Sequence, residues 1–582
     1  VVTKAGAAKK RIYTSTMILG PLGGTAETNM KDVATLGGGK AYTATKAADL
    51  VNGLLDVVED AIKASGSVTA AGVAVNQLNR LNHLDQLYYA VFEPKAGYYH
   101  WEGNVKRYRL GSNGTVIYDN SATPINAVDS NTGFFQKTAK SFWSTAIDGD
   151  VAVEGGAASQ LPLPTDRRMV TYMGALTAKN VALTSIDASS ASFNAAAQTA
   201  TGMSGDSYTN LMNWYKGYEV ADLTNGLVTV SNTALRKRLG AALHSQPLLV
   251  NYGYTGGVSA AGNADNQNNY LFFSTLEGTL HSVNAKTGIE KFSFIPSEKL
   301  SNLKDMHDNP SSALPQFGMD LTWTFFRKDT DSSGQIGSGD KVYLYGGMRM
   351  GGDNYYALDV TDLDAPKLLF AVDGGTGKYA NMGQTWSQPV VTTVKISGAN
   401  KKVLVFGGGY DPRHETANEI FTGNDKGNQV YMLDAFTGDL LWFASGNSSD
   451  GADKYVSEMK YSVASGIQAV DVDGNGVTDA LYFGDLGGQV FRVDFDKTST
   501  TNATVAKRVR QIAKLGQTES GTIPNQRRFY EPPKAALFTD TAGTKFATIA
   551  LGSGYRSHPL NTVTQDRFFV LFDYDLPRAD LG

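Results

Sequence analysis

The sequence predicts a mainly β chain: small sheets stacked radially as a β-propeller, preceded by a short α/β unit. Three observations carry that reading. A strand–turn–strand unit recurs from residue 247 onward, and repeated small sheets that cannot bury both faces alone stack on one another. Glycine is enriched, 63 in 582 residues, beside 28 Tyr and 26 Phe, which suits turn-rich β structure. Residues 13–62 instead alternate strand and helix patterns.

The elements follow in order. Residues 13–19 (YTSTMIL) read as a strand, 29–36 as a short helix, and LGGGKAY as the turn into a second strand. Leu50, Val51, Leu54, Leu55, Val58, Ala61 and Ile62 recur at helical spacing, with Thr43 or Thr45 as the cap. Residues 84–119 carry aromatic and β-branched runs split by Gly and Asn, a meander. Residues 120–240 are poorly periodic; within them the Ala/Ser/Thr-rich stretch 187–205 reads as a loop or surface insertion, and 208–218 and 232–242 as helices. The boundaries drawn from these shifts are an α/β unit over 1–66 and a propeller over 67–582, with the irregular, partly helical insertion at about 120–240.

Five copies of the repeat stand out: LFFSTLEGTLHSVNAKTGIEKFSFIP (271–296), VYLYGGMRMGGDNYYALDVTDLDAPKLLFAV (342–372), VLVFGGGY joined to NQVYMLDAFTGDLLWFAS (403–445), ALYFGDLGGQVFRVDFD (480–496), and TIALGSGYRSHP with RFFVLFDYDL (548–576). The unit, kept loosely, is a strand, a Gly-containing turn, a strand ending in an acidic or Asn residue, a TG-type turn and a third strand.

Composition excludes several classes. There is no cysteine, so neither disulfides nor Cys-type zinc sites stabilise the chain. No run approaches the ~20 apolar residues of a membrane-spanning helix. Net charge is -4, and the basic runs LRKRL (235–239) and KRVR (507–510) are short; they read as solvated surface, with no nucleic-acid partner. The chain begins at Val1 without an apolar leader and reads as a fragment or a processed product.

Two loops concentrate oxygen ligands. In DVDGNGVTD, Asp471, Asp473 and Asn475 stand at positions 1, 3 and 5, Gly476 at the sharp turn, Val477 offers a carbonyl, and Asp479 closes at 9. Hard oxygens at this spacing are those of a calcium loop, and three carboxylates this close repel unless a cation offsets them. The alternative is an Asx-rich hairpin without metal. In DTDSSGQIGSGD, Asp329, Asp331 and Ser333 stand at 1, 3 and 5, Gly334 at 6, Gln335 offers its carbonyl at 7, and Asp340 stands at 12. Aspartate there is one methylene shorter than the usual glutamate, so this second calcium site is expected to be weaker; its alternative is a flexible polar hairpin. Asp359, Asp362 and Asp364 lack the glycine and read as Asx turns. His244 and His281 read as packed structural histidines.

Several long motifs together resemble one family. LGAALHSQPLLVNYG (239–253), EGTLHSVNAKTGIEKFSFIP (277–296), GGDNYYALDVT (351–361), YFGDLGGQVFRVD (482–494) and HWEGNVKRYRL (100–110) occur in the order and spacing of the PilC/PilY proteins, adhesins at the tip of bacterial type IV pili. FGGGY (406–410) departs from the family's usual GNGY. The resemblance implies a quinoprotein-like propeller of seven irregular blades and calcium at the loop matching 471–479. It also implies adhesion to a host-cell or abiotic surface, pilus assembly, control of extension against retraction in twitching motility, and a part in virulence. The implied partners are minor pilins, and the implied place is extracellular, at the pilus tip on the bacterial surface, after export through the periplasm, with outer-membrane association in view. GGGKAY followed by ADL near a helix start resembles the last portion of a von Willebrand factor A-like domain; no DxSxS motif is present, and no metal site is carried over from it.

The reading is of a protein that is not an enzyme. Its alternatives are a purely structural pilus scaffold and a propeller dehydrogenase using pyrroloquinoline quinone, which LDAFTGDLLW (433–442) also resembles. Against the dehydrogenase, its cofactor pocket often holds a vicinal disulfide, and the acidic loops here are each local to one hairpin.

Overall fold

The computed structural model describes residues 14–19, 24–36, 38–46 and 49, and residues 68–576 apart from 76–82, 112–115, 131–132, 187–189, 231–232, 256–265, 313–314, 417–421 and 517–524. The chain divides into two compact units, Val1–Ser67 and Val68–Gly582.

In the first unit, strand Thr14–Leu19 pairs in parallel with strand Gly38–Ala44. Parallel neighbours need a crossover, and helix Gly24–Leu36 supplies it, longer at its start than the eight residues expected. The Thr16 hydroxyl donates to the Met30 carbonyl at 2.9 Å, tying strand to helix. Asp49 accepts from Thr45 N, Thr45 Oγ1 and Lys46 N. The second helix expected here lies outside the described residues.

The second unit holds six sheets among its described residues, where seven blades were expected. The first is built on Val68–Val75, His83–Phe92 and Glu102–Leu110, flanked by Ile117–Tyr118 and Leu239–Gly240. The second joins Leu248–Tyr254, Gln267–Ser274, Leu280–Asn284 and Glu290–Phe294. The third joins Thr324–Lys328, Lys341–Gly347, Tyr355–Asp359 and Lys367–Val372. The fourth joins Val390–Ile396, Ala399–Gly407, Gln429–Asp434 and Leu440–Ser445. The fifth joins Gln468–Val470, Ala480–Gly484, Gln489–Phe495 and Ala506–Lys514. The sixth joins Lys534–Thr539, Lys545–Gly552 and Phe568–Asp573. Within each, consecutive strands pair antiparallel.

The core lies between successive sheet faces. Val405, Met432 and Trp442 of the fourth sheet meet Leu481, Phe483 and Phe491 of the fifth. Phe272 and Phe292 of the second meet Leu344 and Leu358 of the third. Tyr345 and Phe370 of the third meet Phe406 and Tyr431 of the fourth. Burying each such side chain contributes about 1.5–3 kcal/mol. The first strands of the third through sixth sheets adjoin in sequence, so the sheets splay from a shared axis as blades of a propeller.

The TG turns of the first and third copies have one cause. Asn284 Oδ1 accepts from Lys286 N and Thr287 N, and Asp434 Oδ1 from Phe436 N and Thr437 N. Gly288 and Gly438 follow at φ +79° and +70°, a region open to glycine without steric cost.

The insertion departs from expectation at three places. Residues 191–201 form a helix, Ala191–Thr201, where a loop was expected. Alanine is the strongest helix former, Ser190 Oγ accepts from Phe193 N at the start, and Gly202 closes it in the left-handed region. Phe193 and Ala197 bury against Leu300 and Leu303. The described residues of the helix expected at 232–242, 233–242, are not helical: Leu239–Gly240 joins the first sheet as a strand, and Arg236 N donates to Gly217 O at 2.6 Å. Nor is LRKRL all solvated surface. Arg236 is buried, with its guanidinium 4.2 Å above the Trp214 ring. In the second basic run, Arg508 pairs with Asp494. The helix expected at 208–218 is present as Gly205–Lys216.

Candidate metal centre

Both acidic loops join the first and second strands of a sheet, so both open on the same side of their sheets. In the fifth sheet Val470 pairs with Ala480, leaving 471–479 as the loop. In the third, Lys328 pairs with Lys341, leaving 329–340.

The first loop folds around its own carboxylates. Asp471 Oδ1 accepts from Gly474 N at 2.8 Å and Asn475 N at 3.2 Å, and Oδ2 from Gly476 N at 2.7 Å. Asp473 Oδ1 accepts from Asn475 N at 3.2 Å. Asn475 Oδ1 accepts from Val477 N at 2.8 Å. Asp479 Oδ2 accepts from Val472 N at 2.7 Å, drawing the loop's end to its beginning. Gly474 and Gly476 take φ of +74° and +80°, which turns the backbone N–H groups toward Asp471. The Val477 side chain is buried, and Thr478 N donates to Thr393 O at 2.8 Å, anchoring the loop on the fourth sheet.

The second loop repeats the pattern with different residues. Asp329 Oδ1 accepts from Ser333 N at 3.1 Å and Oδ2 from Gly334 N at 2.7 Å. Asp331 Oδ1 accepts from Ser333 N at 3.0 Å. Asp340 is buried: Oδ1 accepts from Thr330 N at 2.7 Å and from the Thr330 hydroxyl, and Oδ2 from Gly337 N at 2.8 Å. Gln335 is held by the second sheet, its Nε2 donating to Tyr254 O at 2.7 Å.

In each loop the three aspartates bring one oxygen apiece within 4.8 Å of one another: Asp329, Asp331 and Asp340, and Asp471, Asp473 and Asp479. Asn475 and the carbonyl of Val477 lie on the first loop, Ser333 and the carbonyl of Gln335 on the second. The donor set is all oxygen, which suits a hard divalent cation such as calcium and not a soft one.

Charge is managed differently in the two. Lys497 Nζ lies 3.1 Å from Asp473 Oδ2 and 2.5 Å from Asp479 Oδ1. Its hydrogen bond holds the Asp473 carboxyl below the usual range; burial alone would lower the Lys497 ammonium, but Asp479 and Asp473 raise it. In the second loop hydrogen bonds dominate. The Ser333 hydroxyl and amide lower Asp331, and Thr330, with Gly337, lowers Asp340 to about 2. Arg327 stands 3.6 Å from Asp329 Oδ2. Loop spacing gave no hint of Lys497, which lies 18 positions after Asp479; strand register was the signal that finds it.

The remaining candidates are structural. Asp359 Oδ1 accepts from Thr361 N and Asp362 Oδ1 from Asp364 N, both Asx turns. His281 Nδ1 lies 2.7 Å from Glu290, which Arg167 also pairs; burial would raise Glu290, but Arg167 and His281 hold it at about 2. His244 Nδ1 lies 2.6 Å from Asp320, which Arg349 also reaches at 3.0 Å; burial lowers this imidazole.

No family model matches the chain. The chain is 26% identical over 237 residues to the type IV pilus biogenesis factor PilY1 of Pseudomonas aeruginosa (strain UCBPP-PA14), a stretch covering 40% of this chain and 17% of that protein. It is 26% identical over 269 residues to a PilY1 homolog of Xylella fastidiosa, covering 44% of this chain and 19% of that one. The chain thus spans under a fifth of the length of these curated relatives. Among solved structures, the C-terminal domain of P. aeruginosa PilY1 aligns over 53% of this chain and 57% of its own, with 20% identity and a TM-score of 0.36. Among the described residues no helix is long and apolar enough to cross a membrane.

Proposed function

We propose that this chain, a PilC/PilY-family type IV pilus protein by its sequence relatives, is a calcium-binding propeller that acts at the pilus tip in surface adhesion and in the balance of extension and retraction. One observation carries the calcium reading: two loops of different sequence and length converge on the same hydrogen-bonded fold. In each, the first aspartate gathers backbone N–H groups four and five residues on, and three carboxylate oxygens share one small volume.

Asp471, Asp473, Asn475, the Val477 carbonyl and Asp479 would hold the first ion. Asp329, Asp331, Ser333, the Gln335 carbonyl and Asp340 would hold a weaker second. Calcium supplies the positive charge that lets clustered carboxylates sit together; the chain supplies the turn and its anchoring on the neighbouring sheet. A bound ion biases whichever pilus state it binds more tightly, by the difference in affinity. Minor pilins and a host-cell or abiotic surface are the proposed partners, and the bacterial surface the proposed place. Each acidic set sits in a single hairpin, which favours a structural or regulatory ion over a catalytic one assembled from several blades.

Calcium titration calorimetry on the purified protein tests this. The proposal expects one tight and one weaker site, the tight one lost in Asp471→Ala. Equal binding in wild type and that variant would overturn it.

A further inference from the structure

We propose that Lys497 is a built-in competitor for the 471–479 loop: its ammonium holds the calcium-free loop together and must leave when the ion enters. The inference rests on the calcium reading above and concerns its regulation.

The strand register delivers the lysine. Ala480 pairs with Asp494, and Phe495 N donates to Asp479 O at 2.9 Å. Two residues on, the chain turns, with Thr498 N and Oγ1 both donating to Asp496 Oδ1. Lys497 therefore emerges beside the closing aspartate, and its Nζ reaches both Asp479 Oδ1 and Asp473 Oδ2. These are two of the carboxylates that would ligate the ion.

Ammonium and calcium make incompatible demands on these oxygens. An ammonium brings one charge and three donors. Calcium brings two charges and takes six to eight oxygens. Placed together they repel, and they would share the same two carboxylates. With neither present, three carboxylates whose oxygens lie within 4.8 Å of one another repel. The lysine offsets that repulsion and keeps the loop shaped for calcium, at the cost of having to be displaced. Its side chain is 34% exposed, so release into water is open to it.

Among the described residues, no lysine reaches the carboxylates of the second loop in this way. In the third sheet the matching backbone bond runs from Val360 N to Val342 O, and two residues on stands Asp362, an acid tied into its own turn. Arg327 is 3.6 Å from Asp329, but its Nε and Nη2 donate to the carbonyls of Asn251 and Gly334. Among the described residues, a lysine held by two of the carboxylates is thus found at 471–479 and not at 329–340.

The test is Lys497→Met and Lys497→Gln, with calcium affinity read by calorimetry and melting temperature read in chelator and in excess calcium. Removing two partly exposed ion pairs is expected to raise affinity at this loop about three- to tenfold. The melting temperature in chelator should fall, while the gain on adding calcium should grow. Lys497→Arg, which keeps the charge, should stay near wild type. Calcium binding at this loop with unchanged or reduced affinity in both neutral variants overturns the competitor while leaving the calcium reading intact. A wild-type protein that binds no calcium at this loop overturns both.

Discussion

Asp479→Ala removes the one side chain that closes the 471–479 loop, and its cost follows from the contacts. Without calcium it deletes the acceptor for Val472 N at 2.7 Å and a Lys497 contact at 2.5 Å. A hydrogen bond to a charged group contributes ~1.5–3 kcal/mol net, and a partly exposed ion pair ~0.2–1 kcal/mol. Asp479 is 19% exposed, so the lower part of each range applies, about 2 kcal/mol in all. With calcium a second loss appears. Wild type gains about 2.7 kcal/mol from one site at a free-ion concentration of 100 times Kd, and the variant forfeits that gain at this loop. Thermal melts in chelator and in saturating calcium read both numbers, and native mass spectrometry counts the ions. The variant should melt somewhat lower in chelator, fall further behind in calcium, and carry one ion fewer. Asp362→Ala, which removes an Asx turn in the third sheet, should leave the calcium-induced gain unchanged. An Asp479→Ala protein with the wild-type ion count and the full calcium-induced gain would refute the reasoning.

Four further outcomes follow from the structure. The 329–340 loop should bind calcium more weakly than 471–479, because Asp340, one methylene shorter than the usual glutamate, must close a twelve-residue span rich in Gly and Ser; calorimetry on Asp329→Ala and Asp471→Ala proteins compares them. Asp340 titrates at about 2, below its unfolded value of 3.8; the stability it lends is present above the unfolded pKa and is lost as pH falls through the folded one. Chelated wild type should therefore lose stability between about pH 4 and pH 2 more steeply than Asp340→Asn, as acid unfolding monitored by fluorescence would read. Gly438→Ala forces a Cβ to 2.4 Å from Phe370 Cγ at a backbone φ of +70°, and should cost about 2–4 kcal/mol in denaturant unfolding; Gly474→Ala, with φ +74° and open space around it, should cost less. Trp442→Ala, fully buried between the fourth and fifth sheets, should cost about 3–5 kcal/mol.

What could be read in advance was what local rules decide. The Asx acceptor and the glycine of each TG turn are adjacent in sequence, and the structure forms both turns as the motif requires. The two acidic loops are likewise local, so spacing alone brought Asp471, Asp473 and Asp479 together, and Asp329, Asp331 and Asp340. The misreadings arose where tertiary context decides. The stretch 187–205 looked like a loop because Ser and Thr crowd it, yet Ala191–Thr201 is helical once Phe193 has a core to enter. The apparent helical spacing at 232–242 gave way to a strand pairing with Glu102–Leu110 across more than a hundred residues. Arg236 looked exposed because it sits among other cations, but Trp214 and Glu277 offer its guanidinium a buried seat. Lys497 is invisible to motif spacing because only the pairing of Ala480 with Asp494 brings it to the loop.

Calcium at the 471–479 loop is tested most directly by the anomalous difference density of a crystal grown in calcium, with data collected where calcium scatters anomalously. A bound ion gives a peak inside the 471–479 loop, ringed by oxygens of Asp471, Asp473, Asn475, Val477 and Asp479, with the Lys497 amino group moved away. A loop with no anomalous peak, and Lys497 still bonded to Asp473 and Asp479, would contradict it.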